Sequence, residues 1–259
     1  MSSIYLKLSK LGDLLNVLNS LKSIQSNKVQ LCLKNEGIFL LSYSSSHTII
    51  GEAFIRNLEF DVYQISKELE ISLDFPSLRS VLKSISKSTS GLSITLEYPC
   101  KDNKLLIITE SECSISQYFL ITYDPQPQEN LDISGSIIAS MKFSDTKIIK
   151  QAMEVACNSK SESEVFLSFS TRKPMLYFTR EDKITDIKTK VTVPYIEHVE
   201  CQIIRDCKKT YSAKILKGIS NFPKCKEIEI KMHEEGVLEI EVSISDNTLV
   251  RYFINPCEN

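Results

Sequence analysis

Apolar residues recur along this chain at two spacings, one helical and one of strands, and one helical stretch stands out for what accompanies it. In Phe75–Ser90 the residues Leu78, Val81, Leu82 and Ile85 fall at i, i+3, i+4 and i+7, which predicts one buried helix face. Arg79, Lys83 and Lys87 recur every four residues on a neighbouring face, and no Asp or Glu occurs between Asp74 and Glu97. A second such stretch is Tyr211–Asn221, with Ile215, Leu216 and Ile219 as the stripe and Lys214 and Lys217 beside it. Its acid-free window, Lys208 to Lys226, holds six lysines. Solvated helix faces usually mix both signs, because Glu–Lys pairs at i, i+4 are mildly favourable. Two helices of one sign point to a shared polyanionic partner.

The remaining pattern reads in order. Ile4–Leu8 is a short strand, and Lys10–Ile24 an amphipathic helix with Leu11, Leu14, Leu15, Leu18 and Leu21 on one face. Strands are predicted at Val29–Leu33, Gly37–Ser42, Ile49–Ile55 and Tyr63–Leu73. The first basic helix follows, with Pro76 in its opening turn, where a missing N–H costs nothing. Three strands come next, Leu92–Tyr98, Lys104–Thr109 and Ile115–Tyr123. The stretch Asp124–Asp132 (DPQPQENLD) then breaks the periodicity and reads as an extended linker.

Beyond the linker the order repeats. Ile137–Phe143 is a strand, and Ser144–Cys157 a helix capped by Ser144 or Asp145, with Ile148, Ile149, Ala152, Met153 and Ala156 inward. Strands at Val165–Ser170, Met175–Thr179, Ile184–Val193 and Ile196–Ile204 lead to the second basic helix. Glu227–Met232, Val237–Ser243 and Leu249–Ile254 follow it. A duplication with a period of about 125 residues predicts two similar α+β domains, at 1–123 and 135–259, joined by a linker at 124–134. Each is expected to be an antiparallel sheet with two helices on one face.

Composition adds limits. The 259 residues carry 31 basic and 33 acidic side chains, so any case for nucleic-acid binding rests on where the charges lie. The opening MSSIYLKLSK has no signal-like apolar core, and no run approaches the ~20 apolar residues that cross a bilayer, so a soluble intracellular protein is expected, without membrane attachment. Eight cysteines, at positions 32, 100, 113, 157, 201, 207, 225 and 257, fall mostly within strand or helix patterns and read as reduced thiols. The sharpest metal alternative is zinc on His198, Cys201 and Cys207 with Cys225, a spacing that lacks the usual C-x2-C pair.

Several strings carry a resemblance. Phe60-Asp61-x-Tyr63, Ser45-Ser46-His47 and the terminal Tyr252-Phe253-x-x-Pro256 look like proliferating-cell nuclear antigen, of the sliding-clamp superfamily. Ser163-Glu164-Val165-x-Leu167, Lys173-Pro174 with Phe178, Tyr211-x-x-x-Ile215-Leu216-Lys217 and Gly236-Val237-Leu238 resemble the Rad-one subunits of the heterotrimeric 9-1-1 checkpoint clamp. The linker Asp124-Pro125-Gln126-Pro127-Gln128-Glu129 is also similar to theirs.

The resemblance implies a DNA-clamp fold in which the helices line a ring and give salt-dependent, sequence-independent contact with duplex phosphates. Lys83 and Lys217 match basic positions of such inner helices; Arg79, Lys87, Lys147, Lys150 and Lys214 share those helices, and Lys10 and Lys22 lie on the first. Ring closure would pair the strand holding Ile115, Gln117 and Phe119 in one subunit with that holding Ile187, Lys188, Thr189, Lys190 and Val191 in the next. Alternation along Ile187–Val193 predicts one buried and one wet face. An outer groove beneath the linker would be lined by Leu40, Leu41, Tyr43, Leu131 and Ile133. The implied partners are two other clamp subunits, duplex DNA, an ATP-dependent clamp loader, and repair and checkpoint proteins, in the nucleus.

No motif for a catalytic role emerges. There is no phosphate-cradling glycine loop and no histidine beside a nucleophile motif. Nuclease chemistry generally needs convergent carboxylates on metal ions. The best candidates are Glu227-x-Glu229 and Glu239-x-Glu241, whose alternation any half-exposed strand also shows. The expected function is therefore a non-catalytic, cofactor-free clamp subunit in DNA-damage checkpoint signalling and repair. A homotrimeric replication clamp and a 3′–5′ exonuclease are the alternatives.

Overall fold

A computed structural model describes residues 4–86, 93–111, 114–125, 135–158, 163–172, 175–182, 187–194 and 199–257. The chain divides into two units: residues 1–43, 51–128 and 245–250 form the first, and 44–50, 129–244 and 251–259 the second.

In the first unit, chain order runs β1 (Ile4–Leu8), α1 (Gly12–Leu21), β2 (Lys28–Lys34), β3 (Gly37–Tyr43), β4 (Ile49–Arg56), β5 (Val62–Ile65), β6 (Leu69–Asp74), α2 (Phe75–Ile85), β7 (Ser93–Cys100), β8 (Lys104–Ser111), β9 (Ser114–Leu120) and β10 (Thr122–Tyr123). Its strands are shared between two sheets, β5-β1-β7-β8-β9 and β10-β6-β2-β3-β4. From residue 135 the chain runs β11 (Ile137–Phe143), α3 (Thr146–Ala156), β12 (Glu164–Ser170), β13 (Met175–Asp182), β14 (Ile187–Pro194), β15 (Val199–Ile203), β16 (Cys207–Ser212), α4 (Ala213–Ile219), β17 (Glu227–His233), β18 (Leu238–Ser245) and β19 (Thr248–Ile254). Here the strands follow the orders β14-β13-β12-β16 and β19-β18-β17-β11-β15. Registered pairs such as β1–β7, β2–β3, β12–β13 and β17–β18 are antiparallel. Strand, helix, five strands, helix, three strands is thus the order of both β1–β9 and β11–β19.

Two strands differ from expectation. The single strand expected over Tyr63–Leu73 is two, β5 pairing with β1 and β6 with β2 in the other sheet. The exposed polar triplet Ser66-Lys67-Glu68 separates them. The strand expected over Ile115–Tyr123 divides likewise into β9, on β8, and β10, on β6, with Ile121 exposed at the switch. Strand β16 had no periodic signal, because Lys208 and Lys209 face solvent and only Thr210 and Tyr211 are buried.

Local chemistry sets the helix starts. Asp74 caps α2, its carboxylate accepting from Ser77 N at 2.8 Å, and Asp145 caps α3 by accepting from Lys147 N at 3.1 Å. Helix α2 buries Phe75, Leu78, Leu82 and Ile85, each such side chain contributing about 1.5–3 kcal/mol by leaving water. Helix α1 buries Val17, Leu18 and Leu21, while Leu14 and Leu15 stay half-exposed. Gly51 of β4 passes directly beneath α1: a Cβ there would lie 2.0 Å from Ile24 Cδ1 and 2.8 Å from Leu21 Cδ2. In the second unit, Ile149, Ala152, Met153 and Ala156 of α3 and Leu216 and Ile219 of α4 are buried, and Ile148 is half-buried.

Candidate functional site

The basic residues divide by what holds them. Lys83 on α2, Lys147 on α3, and Lys214 and Lys217 on α4 are exposed. No acid lies in the first turn of α2, α3 or α4, and the last turns of α2 and α4 carry Lys83 and Lys217. Those cations favour the negative end of each helix dipole. Arg79 is half-buried and reaches α1, donating from Nη2 and Nε to Asn19 Oδ1 at 3.1 and 3.3 Å. Lys150 places its ammonium 5.8 Å from the centre of the Phe222 ring, just beyond α4. Lys22 is exposed after α1, and Lys10 before it. Lys87 lies outside the described residues.

Both strands proposed to close a ring are sheet edges. Strand β9 bonds to β8 on one side, and β14 to β13. On β9, Ile115, Gln117 and Phe119 point to one face and are exposed, Ile115 at 68% and Phe119 at 47%. Monomeric surfaces rarely leave such apolar groups beside an open strand edge, which invites strand addition. On β14, Thr189, Val191 and Val193 become more buried along the strand while Lys188, Lys190 and Thr192 stay exposed. Ile187, at its start, is 57% exposed, so burial on that face is graded rather than uniform.

For the outer groove, Leu40 and Leu41 part company. Leu40 is fully buried, and Leu41, 9% exposed, faces the other way with Phe39 and Tyr43. Phe39 stacks on Phe54 of β4 with ring centres 4.4 Å apart, and the Lys34 ammonium lies 5.1 Å from the Phe39 ring. Sequence reading overlooked this half-exposed aromatic pair, although Phe39 stands two residues from Leu41 on the same strand face. Leu131 and Ile133 lie outside the described residues.

The four paired glutamates share one sheet face of the second unit, three of them around Lys231. Register sets Glu229 opposite Glu241 and Lys231 opposite Glu239 on β17 and β18. Lys231 Nζ lies 3.2 Å from Glu229, 3.1 Å from Glu239 and 3.4 Å from Glu241. Arg251 Nε is 2.7 Å from Glu241, Lys142 Nζ 3.0 Å from Glu227, and His233 Nε2 2.9 Å from Glu239. Burial works against the charged form of Lys231, yet Glu239, Glu241 and Glu229 outweigh it and hold its pKa above the ordinary lysine value. Burial likewise opposes ionisation of Glu241, and the Arg251 hydrogen bond with the charges of Lys231 and Arg251 leaves its pKa below the usual range. These carboxylates are the counter-charges of a structural network.

Among the described residues the cysteines are free thiols. Burial pushes Cys32 and Cys157 up to about 12, far from a reactive thiolate. Cys201 on β15 and Cys207 on β16 belong to different sheets, and His198 lies outside the described residues. Among the described residues no cluster of three His, Cys, Asp or Glu side chains is placed to hold a metal ion, and no helix is long and apolar enough to cross a membrane.

Comparison with solved structures defines the class. The crystal structure of the proliferating cellular nuclear antigen from Entamoeba histolytica is similar over 100% of both chains, with a TM-score of 0.81 at 16% sequence identity. The fold is that of a sliding clamp. The model of the family described as repair protein Rad1/Rec1/Rad17 matches residues 4–244, and the chain belongs to that family. It is a repair-family protein built on the clamp fold, as the quoted strings implied. No curated protein matches the chain in sequence.

Proposed function

We propose that this chain is one subunit of a heterotrimeric 9-1-1-type checkpoint clamp that encircles duplex DNA. It acts in the nucleus, in DNA-damage signalling and repair. The observation that carries the reading is the pairing of exposed lysines on acid-poor helices with two open, complementary sheet edges. Lys83, Lys147, Lys214 and Lys217 supply positive charge with no base-reading geometry, which suits sliding contact with phosphates. Arg79 and Lys150 add charge held in place by Asn19 and Phe222. Edges β9 and β14 give each subunit one strand to offer and one to accept, the arrangement from which a closed head-to-tail ring is built. In this reading the chain has two clamp domains, 1–123 and 135–259, with 124–134 as the linker.

In this reading the chain is a scaffold without chemistry of its own. An ATP-dependent loader opens and closes the ring, and repair and checkpoint proteins dock on the outer face around Leu41, Tyr43, Phe39 and Phe54. The exonuclease alternative is disfavoured because its best carboxylates already serve Lys231 and Arg251. The homotrimeric alternative is tested by light scattering of the chain alone and co-expressed with two other clamp subunits. Assembly into one three-chain species only with those partners is expected. A stable trimer of this chain alone would overturn the heterotrimer and favour a replication clamp.

A further inference from the structure

Strand β13 carries an arginine where its face meets helix α3. Arg180 is 8% exposed, and among the described residues it forms no ion pair. Its Nη1 donates to the carbonyl oxygen of Ala156 at 3.1 Å, and its Nη2 to Thr189 Oγ1 at 3.5 Å. Its Nε is buried without a hydrogen-bond partner. A charged group buried on those terms needs a reason, since desolvation weighs heavily against it.

Ala156 is the last residue of α3, where the carbonyls lack intrahelical partners and the dipole is negative. The last turn of α3 has no basic residue and contains Glu154, so the helix lacks the cation its C-terminus favours. Arg180 supplies it from the sheet. Thr189 is the direct cross-strand neighbour of Arg180, on β14, which among the described residues pairs in the sheet with β13 alone. An edge strand bonded on one side opens more readily than a central one. One guanidinium thus joins the end of a helix that carries Lys147 and Lys150 to the strand that ends the sheet.

We infer that Arg180 is a positioning residue that fastens edge strand β14 to the C-terminus of α3, holding that edge extended for strand addition by a neighbouring subunit. This rests on the proposed clamp reading only for the identity of the neighbour; the fastening itself belongs to the single chain. Because Arg180 is contributed by β13, it stabilises the edge without occupying the open side of β14.

The test is amide hydrogen exchange on the full chain, read by mass spectrometry. Arg180→Met is expected to raise exchange at least tenfold in 187–193 and in the last turn of α3, leaving β17 and β18 unchanged. Arg180→Lys, which keeps the charge but not two diverging donors, is expected to restore α3 more than β14. Thr189→Val removes only the strand-side partner and is expected to raise exchange in 187–193 alone, which keeps the test open if Arg180→Met fails to fold. Unchanged exchange at β14 in Thr189→Val, or a uniform rise throughout the second unit in Arg180→Lys, would overturn the fastening. A loosened β14 with unaltered assembly alongside the clamp partners would overturn its role in strand addition. Failure of the wild-type chain to enter any ring would count against the clamp reading instead.

Discussion

Arg79 of α2 and Asn19 of α1 are joined by two hydrogen bonds, from Nη2 at 3.1 Å and Nε at 3.3 Å, onto one amide oxygen. The bond fixes a guanidinium between two helices of the first unit and leaves its charge unneutralised, because asparagine contributes none. A pre-placed cation loses less freedom when it meets an anion than a freely rotating lysine does.

In the proposed ring, replacing Lys83, Lys214 and Lys217 together by alanine is expected to weaken duplex binding uniformly across sequences. It should flatten the slope of log affinity against log salt by up to about 2.7, at roughly 0.9 for each phosphate no longer neutralised. Fluorescence anisotropy over a salt series reads this directly. Asn19→Ala, which frees Arg79 without removing its charge, is expected to leave the slope unchanged. An unaltered slope in the triple variant would remove these lysines from the DNA-facing set.

The glutamate network makes a stability prediction. Lys231→Met removes the cation shared by Glu229, Glu239 and Glu241, itself only 14% exposed, and is expected to cost about 3–5 kcal/mol in urea unfolding. Lys188→Met, which breaks an exposed pair with Glu181, is expected to shift the midpoint little. Equal effects would mean that the network adds nothing beyond surface ion pairs.

Its pH dependence has a definite sign. The folded pKa of Glu241 lies below its unfolded value, so its contribution is complete above the unfolded pKa of about 4.5 and is lost as pH falls through the folded value. Lys231 is raised when folded, so its contribution is complete below about 10.5 and fades as pH climbs through the folded value. Urea midpoints measured against pH should therefore fall at both ends, and Glu241→Gln should flatten the acid limb and, by removing one of the carboxylates that raise Lys231, part of the alkaline limb too.

Tyr211→Phe removes a hydroxyl that donates to the Gly236 carbonyl at 2.6 Å and contacts Met232 Sδ at 3.0 Å. It leaves a buried acceptor unsatisfied and is expected to cost about 1–3 kcal/mol, read as a lowered Tm. Gly236 itself has φ +91°, so the β17–β18 turn depends on a residue free to take that conformation. A Tm at the wild-type value would show that the acceptor finds another donor.

Much of the fold was legible because periodicity and punctuation agreed. Pro76 and the stripe Leu78–Leu82–Ile85 marked α2, and the repeated element order disclosed the duplication. Where a strand changes sheets the signal fails, since Ser66-Lys67-Glu68 is too short to look like a break and Ile121 looks like continued strand. The lysines could be placed on helix faces from spacing, whereas edge positions for β9 and β14 were implied only by the family resemblance. Arg180 could not be, for a cation in a strand reads as solvent-facing until α3 is packed against it. The glutamate pairs were visible in sequence, but their counter-ion was not, because only register brings Lys231 opposite Glu239.

The proposed ring, linked topologically to duplex DNA, is tested most directly by loading the chain with the two proposed clamp partners and the proposed ATP-dependent loader onto nicked circular DNA, then washing at high salt. Retention on the circle, with release when the DNA is cut to a linear form, is the expected result. Equal loss from circular and linear DNA would contradict encirclement and leave the basic helices with an ordinary, salt-sensitive surface contact.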